Sequence, residues 1–245
     1  MSEPISISVA GVKKSFRTFQ ALHGVSAEFE AGRMHGIIGP EGSGKTTLLR
    51  IVLGLMRPDE GSISYREGGR DISFADLRPK ISYMPQTQSL YPDLSVDEHL
   101  EFFRDLYGIA PPDYKRKREE LLEVARLAEF VRRPAGQLSG GMYKKLGLIC
   151  ALLRSPRVMI LDEPTTGVDP ISRRELWTLL YRLLDEHILI LATTAYMDEA
   201  ERCSKVHLFE AGLLLASGEP RTLLQEQKAR SFDELFLRRA ALGGP

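Results

Sequence analysis

Cysteine is scarce in this sequence, which has 245 residues and only two cysteines, Cys150 and Cys203. The two have no CxxC spacing, and each lies in an apolar or helical stretch. We therefore expect two reduced thiols, as in a cytosolic protein, in preference to a disulfide.

An excess of charge of either sign is also lacking, because 33 basic residues balance 33 acidic ones. A protein that binds nucleic acid or anionic membranes generally has a basic excess. The balance argues against both classes, although it leaves room for a local basic patch. The apolar fraction of 43% and the charged fraction of 27% are those of an ordinary globular protein.

Long hydrophobic runs are absent as well. The longest ones, such as LGLICALL at 146–153, are far shorter than the ~20 residues of a membrane-spanning helix. The first residues, MSEPISISVAG, lack the basic segment and apolar core of a secretory signal. We expect a chain that does not cross a membrane by itself.

Strand-like and helix-like segments alternate along the chain. Residues up to 38 have the pattern of strands, and a glycine-rich loop at 39–44 then leads into a helix. After residue 155 strands and helices alternate again, including an acidic helix predicted from Met197. Such alternation predicts an α/β fold with a mostly parallel sheet, whose ligands lie at the carboxyl ends of its strands.

A helical segment interrupts this pattern between Leu94 and Leu153. Its first predicted helix begins after Ser95, a candidate N-cap, and ends at Gly108. A second is predicted over 111–130, and a third opens with the glycines of SGGM. The sequence therefore predicts an α/β core with a helical insert.

The glycine-rich loop, GPEGSGKTT, fits the pattern GxxxxGK[ST] between a strand and a helix. Its backbone N–H groups can surround phosphate oxygens, and the following helix N-terminus adds favourable partial charge. Lys45 would reach the β- and γ-phosphates, and Thr46 would hold Mg²⁺. The alternative is a chance glycine-rich turn. The predicted nucleotide-binding residues are Gly39, Pro40, Glu41, Gly42, Ser43, Gly44, Lys45, Thr46 and Thr47.

Two carboxylates end the apolar strand RVMILDEP. Asp162 can bind the Mg²⁺ shell, and Glu163 can orient or deprotonate an attacking water. A carboxylate pair here could also merely cap the next helix, but the phosphate-binding loop earlier in the chain favours catalysis.

QLSGGMYKK at 137–145 places Ser139, Gly140 and Gly141 at a helix N-terminus, which is a second anion-binding arrangement. An ordinary N-cap, satisfied by Ser139 alone, is the alternative. Two such helix starts on one domain suggest that two chains share each nucleotide.

Taken in order, the phosphate-binding loop, Gln86, LSGGM, ILDEP, GVDP and TTAYMDEAE resemble the ATPase subunit of an ABC transporter, from about residue 5 to about 220. The motifs LDEPTTGVDP and YMDEAE are most similar to those of the ATPases of bacterial ABC-2-type exporters. The resemblance implies a P-loop (RecA-like) core at 1–86 and 155–220 with an N-terminal antiparallel β-subdomain. It implies an inserted helical subdomain at 87–154 and a helical tail at 221–245.

The resemblance also implies roles for single residues. Phe16 would stack on adenine, unless it is an ordinary core phenylalanine. Gln86 would contact Mg²⁺ or water and link the site to the helical subdomain, with Gln88 as the nearby competitor. Ser139, Gly140 and Gly141 would close on the γ-phosphate bound by the other protomer, and Asp169 would lie at the dimer interface. Met142 departs from the family's glutamine.

In this family a histidine lies between the apolar strand that ends at Thr194 and the YMDEAE segment, and it contacts the γ-phosphate. That position is Ala195 here, and the adjacent Thr194 is too short to mimic an imidazole. Losing one such contact typically costs on the order of 10²- to 10³-fold in rate. We expect tight Mg-ATP binding with weak hydrolysis, unless neighbouring groups compensate.

The resemblance implies ATP and Mg²⁺ as ligands. It implies a transmembrane permease and a second nucleotide-binding domain as partners, no nucleic acid, and a location on the cytoplasmic face of the membrane. A non-transport ABC ATPase and an ATP-sensing regulatory module are the alternatives. The tail after Pro220 reads as one or two amphipathic helices that pack on the core or dock a partner.

Overall fold

The structure, a computed structural model, describes residues 3–87, 89–184 and 187–241. Within these ranges the chain forms ten strands and eight α-helices. The strands are β1 (Ile5–Phe16), β2 (Phe19–Glu30), β3 (Met34–Ile38), β4 (Glu60–Glu67), β5 (Arg70–Ile72), β6 (Ile81–Met84), β7 (Val158–Asp162), β8 (Leu189–Thr194), β9 (Lys205–Glu210) and β10 (Leu213–Gly218). The α-helices are α1 (Lys45–Val52), α2 (Phe74–Leu77), α3 (Val96–Tyr107), α4 (Pro111–Ala125), α5 (Gly140–Leu152), α6 (Pro170–Leu184), α7 (Pro220–Glu226) and α8 (Phe232–Ala241). Short 3-10 helices lie at Arg78–Lys80, Ala128–Phe130, Ala135–Gln137 and Met197–Arg202.

The strands form two sheets. One has four antiparallel strands in the order β2-β1-β4-β5. The other has six strands in the order β10-β9-β3-β8-β7-β6, and all neighbours in it are parallel except β10 and β9. The predicted α/β class, with an N-terminal antiparallel part and a mostly parallel main sheet, is confirmed.

Alternation along the parallel strands divides the core. Val158 and Ile160 of β7 face the apolar cluster shared with α1 and the antiparallel sheet. Met159 and Leu161 face the opposite cluster, which includes α6 and α8. Because side chains of a strand alternate between faces, a strand with both faces covered reads as one continuous apolar run.

A third apolar cluster fills the helical segment between α3, α4 and α5. The start and end predicted for α3 are confirmed: the hydroxyl of Ser95 accepts a hydrogen bond from the backbone N–H of Glu98, and Gly108 ends the helix at a φ of 63°. Both signals depend only on neighbours in sequence.

Two predicted helices differ from the observed ones. The helix predicted over 111–130 ends at Ala125, because Arg126 has a left-handed φ of 56°. The acidic helix predicted from Met197 is a 3-10 helix, in which the N–H of Glu199 bonds the carbonyl of Tyr196. Two helices, α7 and α8, follow Pro220, as the sequence allowed.

None of the described helices combines the length and the apolar character that crossing a bilayer needs. Cys150 and Cys203 are buried free thiols, as expected. Burial raises the pKa of both thiols. The predicted competitor Gln88 and the last residues of the predicted tail, 242–245, lie outside the described residues.

Candidate functional site

The glycine-rich loop joins the carboxyl end of β3 to the N-terminus of α1 at the edge of the parallel sheet. Gly39 is required there, because a Cβ on it would collide with the backbone carbonyl of Phe209. Gly44, at a φ of 100°, directly precedes α1. The loop therefore directs the first N–H groups of α1 into an open cavity.

That cavity has a volume of about 400 Å³. It is lined by Phe19, Ala21, Glu41, Gly42, Ser43, Gly44, Lys45, Thr46, Thr47, Gln86 and Glu163. The structure thus brings residues from four separate parts of the sequence to one site. Pro40 and Gly39 belong to the same loop but do not line the cavity.

Lys45 is buried, and its ammonium donates to the carbonyls of Gly39 and Pro40 at 2.8 and 2.9 Å. It lies 3.7 Å from Oε1 of Glu163. Burial lowers the pKa of Lys45, and the nearby carboxylates of Glu163, Asp162 and Glu41 oppose that effect. The cation is held by neutral oxygens that a phosphate can replace.

Asp162 receives hydrogen bonds from three hydroxyl groups. Thr193 donates to Oδ1 at 2.7 Å and Thr46 donates to the same oxygen at 3.0 Å. Tyr83 donates to Oδ2 at 3.4 Å, and burial together with Asp162 raises the pKa of Tyr83 to about 12. Thr46 and Asp162 are therefore adjacent, as two ligands of one cation would be.

Glu163 follows at the end of β7 with a left-handed φ of 48°. Its N–H donates to the hydroxyl of Thr193 at 2.9 Å. Its Oε2 accepts from Nε2 of Gln86 at 2.8 Å and from the hydroxyl of Thr166 at 3.1 Å. The unusual φ directs Glu163 away from Asp162, so the two carboxylates have different partners.

The site suits a magnesium–nucleotide complex. The hydroxyl of Ser43 is buried inside the loop without a hydrogen-bond partner, and a phosphate oxygen would satisfy it. Hydroxyl and carboxylate oxygens, as in Thr46 and Asp162, are the ligands that Mg²⁺ prefers. Among the described residues no cluster of three or more His, Cys, Asp or Glu side chains offers a separate metal site.

Phe16 lies at the end of β1, opposite Phe19 at the start of β2. Both rings are exposed, and the ammonium of Lys14 lies 5.9 Å from the Phe16 ring centroid. Phe19 lines the cavity, whereas Phe16 does not. Stacking of adenine on Phe16 therefore stays a prediction, with Phe19 as a second aromatic candidate that sequence reasoning missed.

The second glycine-rich helix start lies on α5, away from this cavity. The hydroxyl of Ser139 accepts from the N–H of Met142 at 3.3 Å, so Ser139 is also an N-cap. Gly140 is exposed. Gly141 packs so closely on Ser172 that a Cβ would collide with its side chain.

Asp169 precedes α6, and its Oδ1 accepts from the N–H groups of Ile171 and Ser172, each at 3.0 Å. These bonds lower the pKa of Asp169, with Ser172 making the largest contribution. Asp169 therefore caps α6 within its own chain. Its proposed place at a dimer interface stays a prediction.

Ala195 follows β8. The last residues of β8 pair with β3 and β7, Thr194 with Ile38 and Thr193 with Asp162. Ala195 therefore lies at the same sheet edge as the cavity. The hydroxyl of Thr194 accepts from the N–H of Tyr196 at 3.0 Å, so this hydroxyl is engaged within the turn.

A buried carboxylate anchors the segment after Ala195. Oε1 of Glu199 accepts from Nε1 of Trp177 at 3.1 Å, and Oε2 accepts from the hydroxyl of Thr165 at 2.9 Å. Arg173 lies 3.8 Å from Oε1 of Glu199 and 4.2 Å from the Tyr196 ring centroid. The turn at Ala195 is thus attached to α6 and to the segment after Glu163.

Sequence reasoning gave no role to Tyr83, Thr166 and Glu199, and it placed Thr193 at a functional strand end without assigning it a contact. Thr193 and Tyr83 come from strands adjacent to β7, so only the strand order brings them to Asp162. A sequence signal existed for Thr193, because polar residues at the carboxyl end of an apolar strand commonly serve a site.

A phosphate-binding loop at the carboxyl edge of a parallel sheet, with a paired threonine and aspartate beside it, defines the class of P-loop nucleotide-binding proteins. The family model for "ABC transporter" matches residues 22–166. The chain belongs to this family, whose ATPase domains generally bind and hydrolyse ATP.

Named relatives agree with this family. The chain is 43% identical over 228 residues to the "Probable multidrug ABC transporter ATP-binding protein YbhF" of Escherichia coli (strain K12). The matched residues cover 92% of the chain and 39% of that relative. The chain thus spans well under half of that relative's length. It is 38% identical over 226 residues to the "Nod factor export ATP-binding protein I" of Burkholderia thailandensis, covering 92% of the chain and 74% of the relative. A solved structure, "Structure of ATP binding subunit of ABC transporter", matches with a TM-score of 0.81 and 29% identity, covering 95% of this chain and 98% of that one.

Proposed function

We propose that this chain binds Mg-ATP and couples ATP binding and hydrolysis to export of a substrate through a membrane permease. The observation that carries the proposal is the cluster of Lys45, Thr46, Asp162, Glu163 and Gln86 around one cavity. The names of the two relatives, a multidrug transporter protein and an export protein, support the direction of transport.

In this proposal the residues around the cavity have three roles: phosphate binding, metal binding and activation of water. Lys45 and the N–H groups of the loop bind the phosphates, and Ser43 donates to a phosphate oxygen. Thr46 and Asp162 would hold Mg²⁺, which would supply positive charge against the charge that develops on the phosphates. Glu163 orients the attacking water and accepts its proton, and Gln86 holds the Glu163 carboxylate at 2.8 Å.

Ala195 lowers the hydrolytic rate in this proposal. Its methyl group can neither donate a hydrogen bond to the γ-phosphate nor orient water, and the side chain of Thr194, whose hydroxyl accepts from the N–H of Tyr196, is too short to replace an imidazole. Binding is retained, because the groups that hold the phosphates and the metal are intact. A chain of this kind would depend on a partner domain with a competent site.

The proposal includes a second nucleotide-binding domain as a partner. Ser139, Gly140 and Gly141 close on the nucleotide of a second nucleotide-binding domain, with Asp169 near that interface. We assign 1–86 and 155–220 to the nucleotide-binding core, 87–154 to the helical subdomain and 221–245 to the tail. The separate apolar cluster between α3, α4 and α5 supports this division.

The permease contact would place the chain at the cytoplasmic face of the membrane. We propose that it uses an apolar patch on the helical subdomain, formed by Tyr91, Phe102 and Leu106. These side chains are 56%, 39% and 62% exposed, and the rings of Tyr91 and Phe102 are 5.6 Å apart. Contiguous exposed apolar side chains commonly mark contact surfaces. Phe102→Asp should abolish co-purification with membranes and leave nucleotide binding intact.

The test of the hydrolytic site compares steady-state Mg-ATP hydrolysis by the chain, by Ala195→His and by the blank Glu163→Gln. We expect the chain to lie near the blank and the histidine to raise turnover by about 10²- to 10³-fold. Turnover by the chain well above the blank, with little added by the histidine, would show a self-sufficient ATPase.

An ATP-sensing module without turnover is the second candidate, and Ala195 favours it. It predicts nucleotide binding in all three proteins and hydrolysis in none, even after the partner domain is added. A non-transport ABC ATPase would co-purify with ribosomes and not with membranes.

A further inference from the structure

Lys144 is a buried cation on the second glycine-rich helix, α5, that no part of the proposed mechanism uses. Its side chain reaches out of the helical segment toward the nucleotide site. The ammonium donates to the carbonyl of Gln86 at 3.1 Å and lies 3.5 Å from the carbonyl of Glu163. Within the described part of the chain, no carboxylate lies within 4 Å of it.

Such a position is costly for a lysine. Burial lowers the pKa of Lys144, and the charges of Glu163 and Asp162 only partly oppose this. An ion taken out of water without a paired counter-ion loses hydration that carbonyls replace incompletely. An apolar side chain there would leave the carbonyls of Gln86 and Glu163 without this donor, so the contact to both depends on the ammonium.

The two carbonyls belong to residues that already hold each other. Nε2 of Gln86 donates to Oε2 of Glu163 at 2.8 Å. Lys144 therefore joins the backbones of both residues to α5. Four and three residues earlier on the same helix, Gly140 and Gly141 begin α5 against Gly167 and the first turn of α6 at Ser172.

We propose that Lys144 is a positioning residue that transmits nucleotide occupancy from the Lys45 site to the N-terminus of α5. The inference rests on the proposed function, since it requires ATP at that site. It assigns to this chain a contact through which its own site influences the helix that serves the partner's nucleotide.

The contacts give a sequence of events. Lys45 lies 3.7 Å from Glu163 and donates to two carbonyls of its own loop. When phosphate oxygens take these donors, Glu163 loses a cationic neighbour and shifts relative to Gln86. Both carbonyls at Lys144 belong to that pair, so the ammonium moves with them and shifts α5.

Hydrogen–deuterium exchange with and without Mg-ATP tests this, at a concentration at which light scattering shows a monomer. We expect ATP to protect both the loop at 39–47 and the start of α5 at 138–146. In Lys144→Met the loop should stay protected, whereas the effect of ATP on 138–146 should be lost. Lys144→Arg, which keeps a cation with donors, should restore it.

Lys117→Met is the matched control, because Lys117 also donates to a backbone carbonyl, that of Leu153 at 3.1 Å, but outside the site. It should behave as the unchanged chain does. Thermal unfolding shows whether Lys144→Met is folded, and Lys144→Leu, which also removes the charge and the donors, carries the same comparison if it is not.

The outcomes are distinguishable. A protected loop with unchanged protection of 138–146 in Lys144→Met would overturn the role of Lys144 and leave the proposed function standing. An unprotected loop in the unchanged chain would overturn the proposed ATP binding, and this inference with it.

Discussion

The hydroxyl of Thr193 contacts both Asp162, the last residue of β7, and Glu163, which follows it. One hydroxyl accepts from the N–H of Glu163 and donates to Oδ1 of Asp162, so it fixes both residues at once. Because Glu163 has a left-handed φ, this bond also stabilises a backbone conformation that glutamate rarely adopts.

Thr193→Val should therefore lower the free energy of unfolding by about 1–3 kcal/mol, because a buried N–H is left without an acceptor while the shape of the side chain is kept. Urea denaturation measures the change. Thr178→Val is the control, since its hydroxyl donates to Arg174 on an exposed helix surface, and it should stay within about 0.5 kcal/mol. Equal losses in the two variants would contradict the role given to Thr193.

Single residues were predictable where their signal is local. The lysine, threonine and glycines of the loop, the pair Asp162 and Glu163, and the cap Ser139 all follow from short motifs. Thr193, Tyr83 and Lys144 were not predictable in this way, because each becomes relevant only through the strand or helix beside it. The choice between Phe16 and Phe19 likewise depends on how a hairpin end faces the cavity.

At the scale of elements, a pair of histidines joins β3 to β9. Nδ1 of His35 lies 3.1 Å from Nε2 of His207, and both rings are fully buried against Phe29. Burial is the main cause that lowers the pKa of His35 to about 4 and that of His207 to about 3, and the cation of Lys205 adds to both.

This pair should make stability depend on pH. In the unfolded chain both imidazoles bind protons near pH 6.5, whereas in the folded chain they stay neutral until about pH 4 and 3. The unfolded state thus binds more protons between these values, and the free energy of unfolding falls as the pH drops below about 6.5. By the time each folded pKa is reached, the loss is about 3 kcal/mol for His35 and about 4 kcal/mol for His207.

Urea denaturation between pH 7.5 and pH 4 measures the slope. His207→Gln should flatten it, whereas His23→Gln, at an exposed position, should leave it unchanged. A slope that survives both substitutions would assign the pH dependence to other groups.

Elements themselves were predictable to different degrees. The continuous apolar runs of β7 and β8, and the cap and glycine at the ends of α3, are properties of the local sequence. The end of α4 at Arg126 was not predicted, because a left-handed arginine carries no sequence signal and the apolar pattern continues through buried Leu127. The strand order depends on packing between distant segments, and the family resemblance, not the local pattern, indicated that the N-terminal strands form a separate antiparallel sheet.

At the scale of the whole molecule, a ligand that binds only the folded chain stabilises it by mass action. Mg-ATP at 100 times its dissociation constant should add about 2.7 kcal/mol. For a chain of this length that corresponds to a rise in Tm of roughly 5–10 °C. Differential scanning fluorimetry with increasing Mg-ATP measures it.

Lys45→Ala should lose this rise, since it removes the buried cation of the loop. Ala195→His should keep it, because the proposed function assigns Ala195 an effect on turnover and not on binding. The same rise in Lys45→Ala as in the unchanged chain would place the nucleotide elsewhere.

The buried contact between Trp177 and Glu199 has an optical consequence. Trp177 is the only tryptophan of the sequence, it is 2% exposed, and its indole N–H donates to a carboxylate on the segment that follows Ala195. Its intrinsic fluorescence therefore arises from a single place in the molecule, where α6 meets that segment. A shift of the segment away from the indole changes the local field and the quenching of that one emitter, so the chain carries its own spectroscopic reporter beside the sheet edge of the proposed nucleotide site.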